Sequence, residues 1–171
     1  MTSVLKTINT KIYKPCSLII SGFVSESEGS AYEACQFTLN DKYIICRTAK
    51  ITPKKVGQFV TFWNRNKNDV TQPFCEDDAF DFYVINVCKD ELLGQFVIPK
   101  AAGISHGLVT TSTKEGKRGF RVYPPWDVAS SSQAKRTQVW QLKYFVSLKD
   151  PIDFELVKII YASQDEILKH L

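Results

Sequence analysis

Histidine is nearly missing from this chain of 171 residues, which carries only His106 and His170. A His-rich zinc site is therefore excluded, and a Ser-His-Asp triad would rest on His106 alone, in the loop sequence GISHGL. The five cysteines are odd in number and none forms a CxxC pair, so neither a Cys-based zinc site nor a disulfide framework is indicated. Runs such as YIIC and VINVC use cysteine as a small hydrophobe, as expected in a reducing compartment. No Walker A loop or GxGxxG sequence is present, which removes the nucleotide-binding enzymes built on them. No apolar run approaches membrane-spanning length, and the start, MTSVLKTINTKIYK, lacks the uninterrupted apolar segment of a signal peptide. The expectation is a cytoplasmic protein that engages no membrane.

Acids are missing from one long stretch. Between Lys42 and Lys67 there are seven cations and no Asp or Glu. From Asp69 to Glu91 seven acids face Lys89 alone, and from Leu92 to Lys149 nine cations face only Glu115 and Asp127. The net charge of +4 is mild, so the distribution matters more than the sum. If the two basic blocks meet in space, their field orients a polyanion; if they do not, they are an ordinary solvated surface.

What is present reads as one globular domain over residues 1–171, since 44% hydrophobic and 12% aromatic content supports a real core. Val4, Leu5, Ile8 and Ile12 have helical spacing behind a Thr2 or Ser3 cap. AYEACQFTL and KYIICRTAK flank Asn40-Asp41 and read as a hairpin, as do DAFDFYVINVC and LLGQFVIPK around KDEL. ITPKKVGQFVTFWNR reads as a helix: Thr52 as cap, Pro53 in the first turn, and Val56, Phe59, Val60 and Trp63 as one apolar stripe. KAAGIS is a short helix, GLVTTST and GFRVY are a strand pair around KEGKRG, and SSSQAKRTQVWQLKYF is a helix capped within Ser130–Ser132. DFELVKIIYASQDEILKHL reads as one helix or as a strand and a helix. The sum is an α/β (α+β) domain with a central mixed β-sheet flanked by helices.

With His and Cys sites excluded, carboxylates, lysines and arginines remain, a set suited to phosphate binding or to magnesium-assisted phosphoryl chemistry. Glu33, in YEACQF, and Lys50, at the end of YIICRTAK, lie on adjacent strands, the acid and lysine layout of a PD-(D/E)xK nuclease core. Thr48 stands where the second acid belongs, and a cross-strand ion pair is the simpler explanation of Glu33 and Lys50. Asp81 and Lys100 repeat the layout with Ile98 in the acid position, and Asp81 is the carboxylate that could complete a catalytic set of Glu33, Lys50 and Asp81. The block KEGKRGFRVYPPWD alternates cations with rings, a pattern that suits single-stranded nucleic acid. Phe120, Trp126 and Trp140 read first as core, leaving Lys117, Arg118 and Arg121 on the outward side. Lys135, Gln138 and Gln141 follow on the next helix, and Gln is a usual reader of base edges.

RTAKITPKKVGQFVTFWNR, GQFVIPK, GKRGFRVYPPWD and QAKRTQVWQLKYF together resemble the MepB-like proteins, a family of small bacterial proteins, in the family's order from Arg47 to Phe145. The resemblance implies a restriction-endonuclease-like core. Its matching polar positions are Arg47, Lys50, Lys55, Gln58, Asp81, Lys100, Lys117, Arg118, Arg121, Gln138 and Gln141. Cations and amides dominate this set, so the expected function is nucleic-acid binding, to DNA or RNA, on a nuclease-like fold with a degenerate metal site and no cofactor. Arg47, Lys50 and Lys55 would line one side of the groove. Lys117, Arg118, Arg121 and the helix with Lys135, Gln138 and Gln141 would line the other. The alternatives are an active Mg-dependent nuclease and a module that binds a protein or a small phosphorylated ligand.

Overall fold

The computed structural model describes residues 1–162. Its centre is a ladder of three strands, β3 (Lys42–Thr48), β8 (Phe82–Lys89) and β9 (Leu92–Pro99), buried almost continuously along their length. Such runs need cover on both faces of the sheet. β1 (Ile20–Ser25) and β2 (Cys35–Leu39) extend it on one side and β11 (Phe145–Ser147) on the other, in the order β1-β2-β3-β8-β9-β11. All neighbours are antiparallel except β3 and β8, which pair in parallel from Ile44↔Phe82 to Thr48↔Asn86. The sheet is therefore mixed, as expected.

One face is covered by helices. α1 (Ser3–Ile8) starts at Thr2, whose hydroxyl accepts from Leu5 N, and continues as a π-turn over Asn9–Tyr13. Leu5, Ile8 and Ile12 are fully buried against Phe37, Ile44 and Val84, together with Val157 and Ile160 of α4 (Phe154–Tyr161). Burying each such side chain stabilises the fold by about 2 kcal/mol. Residues 163–171, the remainder of the C-terminal segment read from the sequence, lie outside the described residues.

The other face is covered by a second sheet, β10 (Gly119–Val122), β5 (Lys55–Thr61) and β4 (Lys50–Thr52), in the order β10-β5-β4. Val60, Phe62, Phe120 and Val122 face Tyr83, Ile85, Phe96 and Ile98. Phe62 stacks on Tyr83 at 4.2 Å, and the Tyr83 hydroxyl donates to the Thr61 carbonyl at 2.5 Å, which ties the two sheets together. A short ribbon, β6 (Trp63–Arg65) with β7 (Thr71–Pro73), follows β5. Helices α2 (Lys100–Ser105) and α3 (Ser132–Leu142) complete this side, with Ser131 capping α3 through Ala134 N.

Two sequence expectations are overturned. Residues 52–65 are not a helix but β5 and β6. Gln58, Val60 and Phe62 point inward while Phe59, Thr61 and Trp63 are only half-buried, a period of two. The period was masked because the inward position 58 is polar and the outward positions 59 and 63 are aromatic. Val56, a member of the supposed stripe, is 44% exposed. Thr52 and Pro53 do not start a helix: Thr52 pairs with Lys55 across a tight Pro53-Lys54 turn, where proline presets φ. Nor do GLVTTST and GFRVY pair. β10 pairs with β5, from Gly119↔Thr61 to Val122↔Gln58, and residues 107–113 are irregular apart from one bridge, Thr110↔Cys75.

Gly57 tests the strand assignment. Its φ is +81°, and a Cβ there would lie 2.6 Å from the Tyr123 ring. Gly57→Ala should therefore destabilise the protein by about 1–3 kcal/mol in urea unfolding. A helix at this position would instead gain about 1 kcal/mol from the same change, so the sign decides between the two.

Candidate functional site

The expected catalytic set is not assembled. Glu33 is off the strand, closing a 3₁₀ turn (Ser30–Tyr32) at φ +51°, and its carboxylate accepts from the Thr48 hydroxyl at 2.6 Å. Lys50 opens β4, exposed, with its ammonium 5.1 Å above the Tyr32 ring. Asp81 precedes β8 and accepts from Tyr43 N at 2.7 Å, while its own N–H donates to the Tyr43 carbonyl. Tyr43 and Thr48 are at opposite ends of β3, roughly 16 Å apart at the rise of a strand. Asp81 therefore fastens the far end of the β3–β8 pair and cannot join Glu33 or Lys50. Lys100 is at that same far end, donating to the Asp78 carbonyl at 2.6 Å and lying over Phe80. Among the described residues no three His, Cys, Asp or Glu side chains gather where they could hold a metal ion.

A neutral row stands where a second acid would be needed. Thr48, Asn86 and Gln95 are register neighbours on β3, β8 and β9. Asn86 Nδ2 donates to Thr48 Oγ1 at 3.4 Å, and Gln95 Nε2 donates to Asn86 Oδ1 at 2.8 Å. Tyr13 and Tyr161 both donate to Gln95 Oε1, at 3.0 and 2.9 Å. Burial drives both tyrosine hydroxyls well above the usual range, so they act as neutral donors. No local pattern in the sequence marks this network, since its members are spread from residue 13 to residue 161.

Several expected ligand-binding side chains are engaged by the fold instead. Arg47 is 4% exposed and its guanidinium donates to Glu26 Oε2 at 2.6 Å and to the Cys46 carbonyl at 2.9 Å. Gln58 is fully buried and donates to the Cys88 carbonyl at 3.2 Å. Gln141, also fully buried, acts as an extra strand for β10: its Nε2 donates to the Arg121 carbonyl and its Oε1 accepts from Tyr123 N, both at 2.9 Å. Gln138, one turn earlier on α3, donates to the Tyr123, Pro124 and Asp127 carbonyls. The two amides hold the strand exit and the Pro-Pro turn rather than a base edge. Arg118 pairs with Glu115 at 3.1 Å and reaches the Thr71 carbonyl, and Lys135 is exposed on α3.

One cleft does join the two basic blocks. It has a volume of about 320 Å³ and lies between β5, β10, the loop after α2 and the start of α3. Lys55 comes from the first block, Lys117 and Arg121 from the second, and no Asp or Glu lines it. Arg121 is held in place: it donates to Thr52 Oγ1 at 2.6 Å and to the Gly57 carbonyl at 2.9 Å, with its guanidinium over Phe59. Ser131, Gln133 and Ala134 place the first turn of α3 in the same wall, where the positive end of the helix dipole adds to the cations, and no acid occupies that turn. His106 and Trp140 form the remaining side, ring on ring at 3.9 Å and 8°. Burial, and then Lys143, hold the His106 pKa below its ordinary value. A second, larger cleft, about 540 Å³, is of mixed sign, with Glu26, Glu28 and Asp69 beside Arg47 and Arg65.

The family model for MepB-like proteins matches residues 26–147. A solved structure described as the crystal structure of MepB is similar to this chain at 33% identity and a TM-score of 0.75, over 88% of this chain and 99% of that one. The bacterial homing endonuclease I-Ssp6803I is similar at 16% identity and a TM-score of 0.44, over 82% of this chain and 86% of that one, too distant to bear on chemistry here. No curated protein matches the chain.

The Arg47–Glu26 pair carries an asymmetric prediction. Arg47 is far more buried than its partner, at 5% side-chain exposure against 23%. Glu26→Ala strands a buried guanidinium and should cost about 3 kcal/mol in urea unfolding, whereas Arg47→Leu leaves a partly solvated carboxylate and should cost about half of that or less.

Proposed function

The chain belongs to the MepB-like family, and we propose that it binds nucleic acid through the cleft of Lys55, Lys117 and Arg121. The observation that carries this reading is the sign of that cleft. Two basic blocks, far apart in sequence, converge on one surface that no acid lines. Phosphates are held by such a set in two ways. The guanidinium of Arg121, held by Thr52 and Gly57, is a fixed positive charge, while Lys55 and Lys117 are exposed point charges. The dipole of α3, whose first turn lines the cleft, adds positive potential.

This is a reading of binding without cleavage. Two acids at one metal are the minimum for the nuclease chemistry considered above, and Thr48, Asn86 and Gln95 form a hydrogen-bonded neutral row in that region. Lys50 keeps a place in the reading as an exposed cation on β4, the strand beside β5, and Lys135 as an exposed cation on α3. The proposed setting is the cytoplasm; among the described residues no helix is long and apolar enough to cross a membrane.

Fluorescence anisotropy with labelled oligonucleotides over a salt series tests the proposal. Log affinity should fall linearly with log salt concentration. The double variant Lys55→Ala/Lys117→Ala should flatten that slope by about 1.5, the loss of two phosphate contacts. The charge-matched control Lys6→Ala/Lys11→Ala, on the helical layer across the main sheet, should leave the slope within about 0.3 of the wild type. Equal losses for the two double variants, or no dependence on salt, would overturn the reading.

A further inference from the structure

We propose that the cleft takes a single strand, with one unpaired base lying flat on His106. The inference rests on the nucleic-acid reading above and adds the form of the ligand. Its observations are separate from the cations. His106 is exposed, yet its ring lies parallel to Trp140 at 3.9 Å and 8°, so one face of the imidazole is covered and the other is open. Trp140 is half-buried on α3 and braced edge-on by Tyr144 at 6.5 Å. His106 is fixed from the backbone, where its N–H donates to the Ala102 carbonyl at the end of α2. The platform is thus mounted on two helices and is flat before any ligand arrives.

The surroundings give that platform a phosphate neighbourhood. Gly107 follows at φ +66°, and the Lys114 ammonium reaches so close to it that a Cβ there would lie 2.6 Å from Nζ. Lys55, Lys117 and Arg121 line the same 320 Å³ cleft as the two rings. A ring face beside a ring of cations matches one nucleotide, with its base on the platform and its phosphates on the lysines. Duplex bases present edges, not faces, to a protein; only an unpaired base offers its π surface. The imidazole is held toward its neutral form by burial and Lys143, so the contact is ring on ring rather than charge on ring. Stacking of this kind tolerates any base, and the ligand class is single-stranded nucleic acid without strong sequence preference.

The test compares three labelled probes of equal length on the full chain: an oligothymidylate, an abasic strand and a duplex. His106→Ala should weaken oligothymidylate binding about ten-fold, the usual loss for one stacked base. It should weaken binding of the abasic strand and the duplex by less than about two-fold. His106→Phe, which keeps a flat ring, should recover most of the loss. Tryptophan fluorescence should be quenched by oligothymidylate in the wild type and by much less in Trp140→Phe. Equal losses for all three probes, or no loss at all with His106→Ala, would overturn the stacking site. If Lys55→Ala/Lys117→Ala still weakens every probe, the anion-binding reading survives that failure; if it weakens none, both fall together.

Discussion

The parallel pairing of β3 with β8 is the constraint on which the rest of the molecule depends. Parallel neighbours cannot be joined by a tight turn and need a long crossover. Here residues 49–81 make it, and they are used to build β4, β5, β6 and β7 on the way. That excursion covers the face of the main sheet that α1 and α4 leave open. It also brings β5 alongside β10, which sets Lys55 beside Lys117 and Arg121. The core and the cleft are two results of one connection.

Polar side chains divide between those that make this arrangement and those that remain for a ligand. Arg47, Gln58, Gln138 and Gln141 satisfy carboxylate or backbone groups that the crossover and the strand exit would otherwise leave buried and unpaired. Gln141 is the clearest case, since a side-chain amide offers the donor and acceptor of one more strand residue. Thr48, Asn86 and Gln95 do similar work across the middle of the main sheet, bonded to one another in a neutral row that ends on the Glu33 carboxylate. Lys50, Lys55, Lys117 and Lys135 stay exposed. The amides and Arg47 serve the fold, and these four lysines face the solvent.

The β2–β3 and β8–β9 hairpins were legible because their turns are local: Asn40 at φ +54° sits in the Asn40-Asp41 link and Asp90 at φ +53° lies within KDEL. The start of α3 was legible for the same reason, a serine cap followed by helix-forming residues. The second sheet was not. A polar Gln58 pointing inward and aromatic Phe59 and Trp63 at outward positions imitate a helical stripe, and only the partner strand and the Tyr83 layer show which faces are covered. In the candidate site, Lys55, Lys117 and Arg121 were marked by the acid-poor blocks and by the family resemblance, whereas the pairing of His106 with Trp140 joins two helices and leaves no local trace.

By itself the sequence determined the mixed α+β class, the caps of α1 and α3, the turns of two hairpins, the scarcity of histidine and the two acid-poor blocks, because composition and short-range geometry carry these properties. Tertiary structure alone decided the role of each polar residue. It placed Asp81 at the far end of β3 from Lys50, turned Gln141 from a base reader into a strand partner and Gln138 into a brace of the Pro-Pro turn, and set the cations and the ring pair around one cleft. The physical reason is that a charge or an amide is chemically the same in either role, and only its burial and its neighbours determine whether it is neutralised by the protein or left for something else.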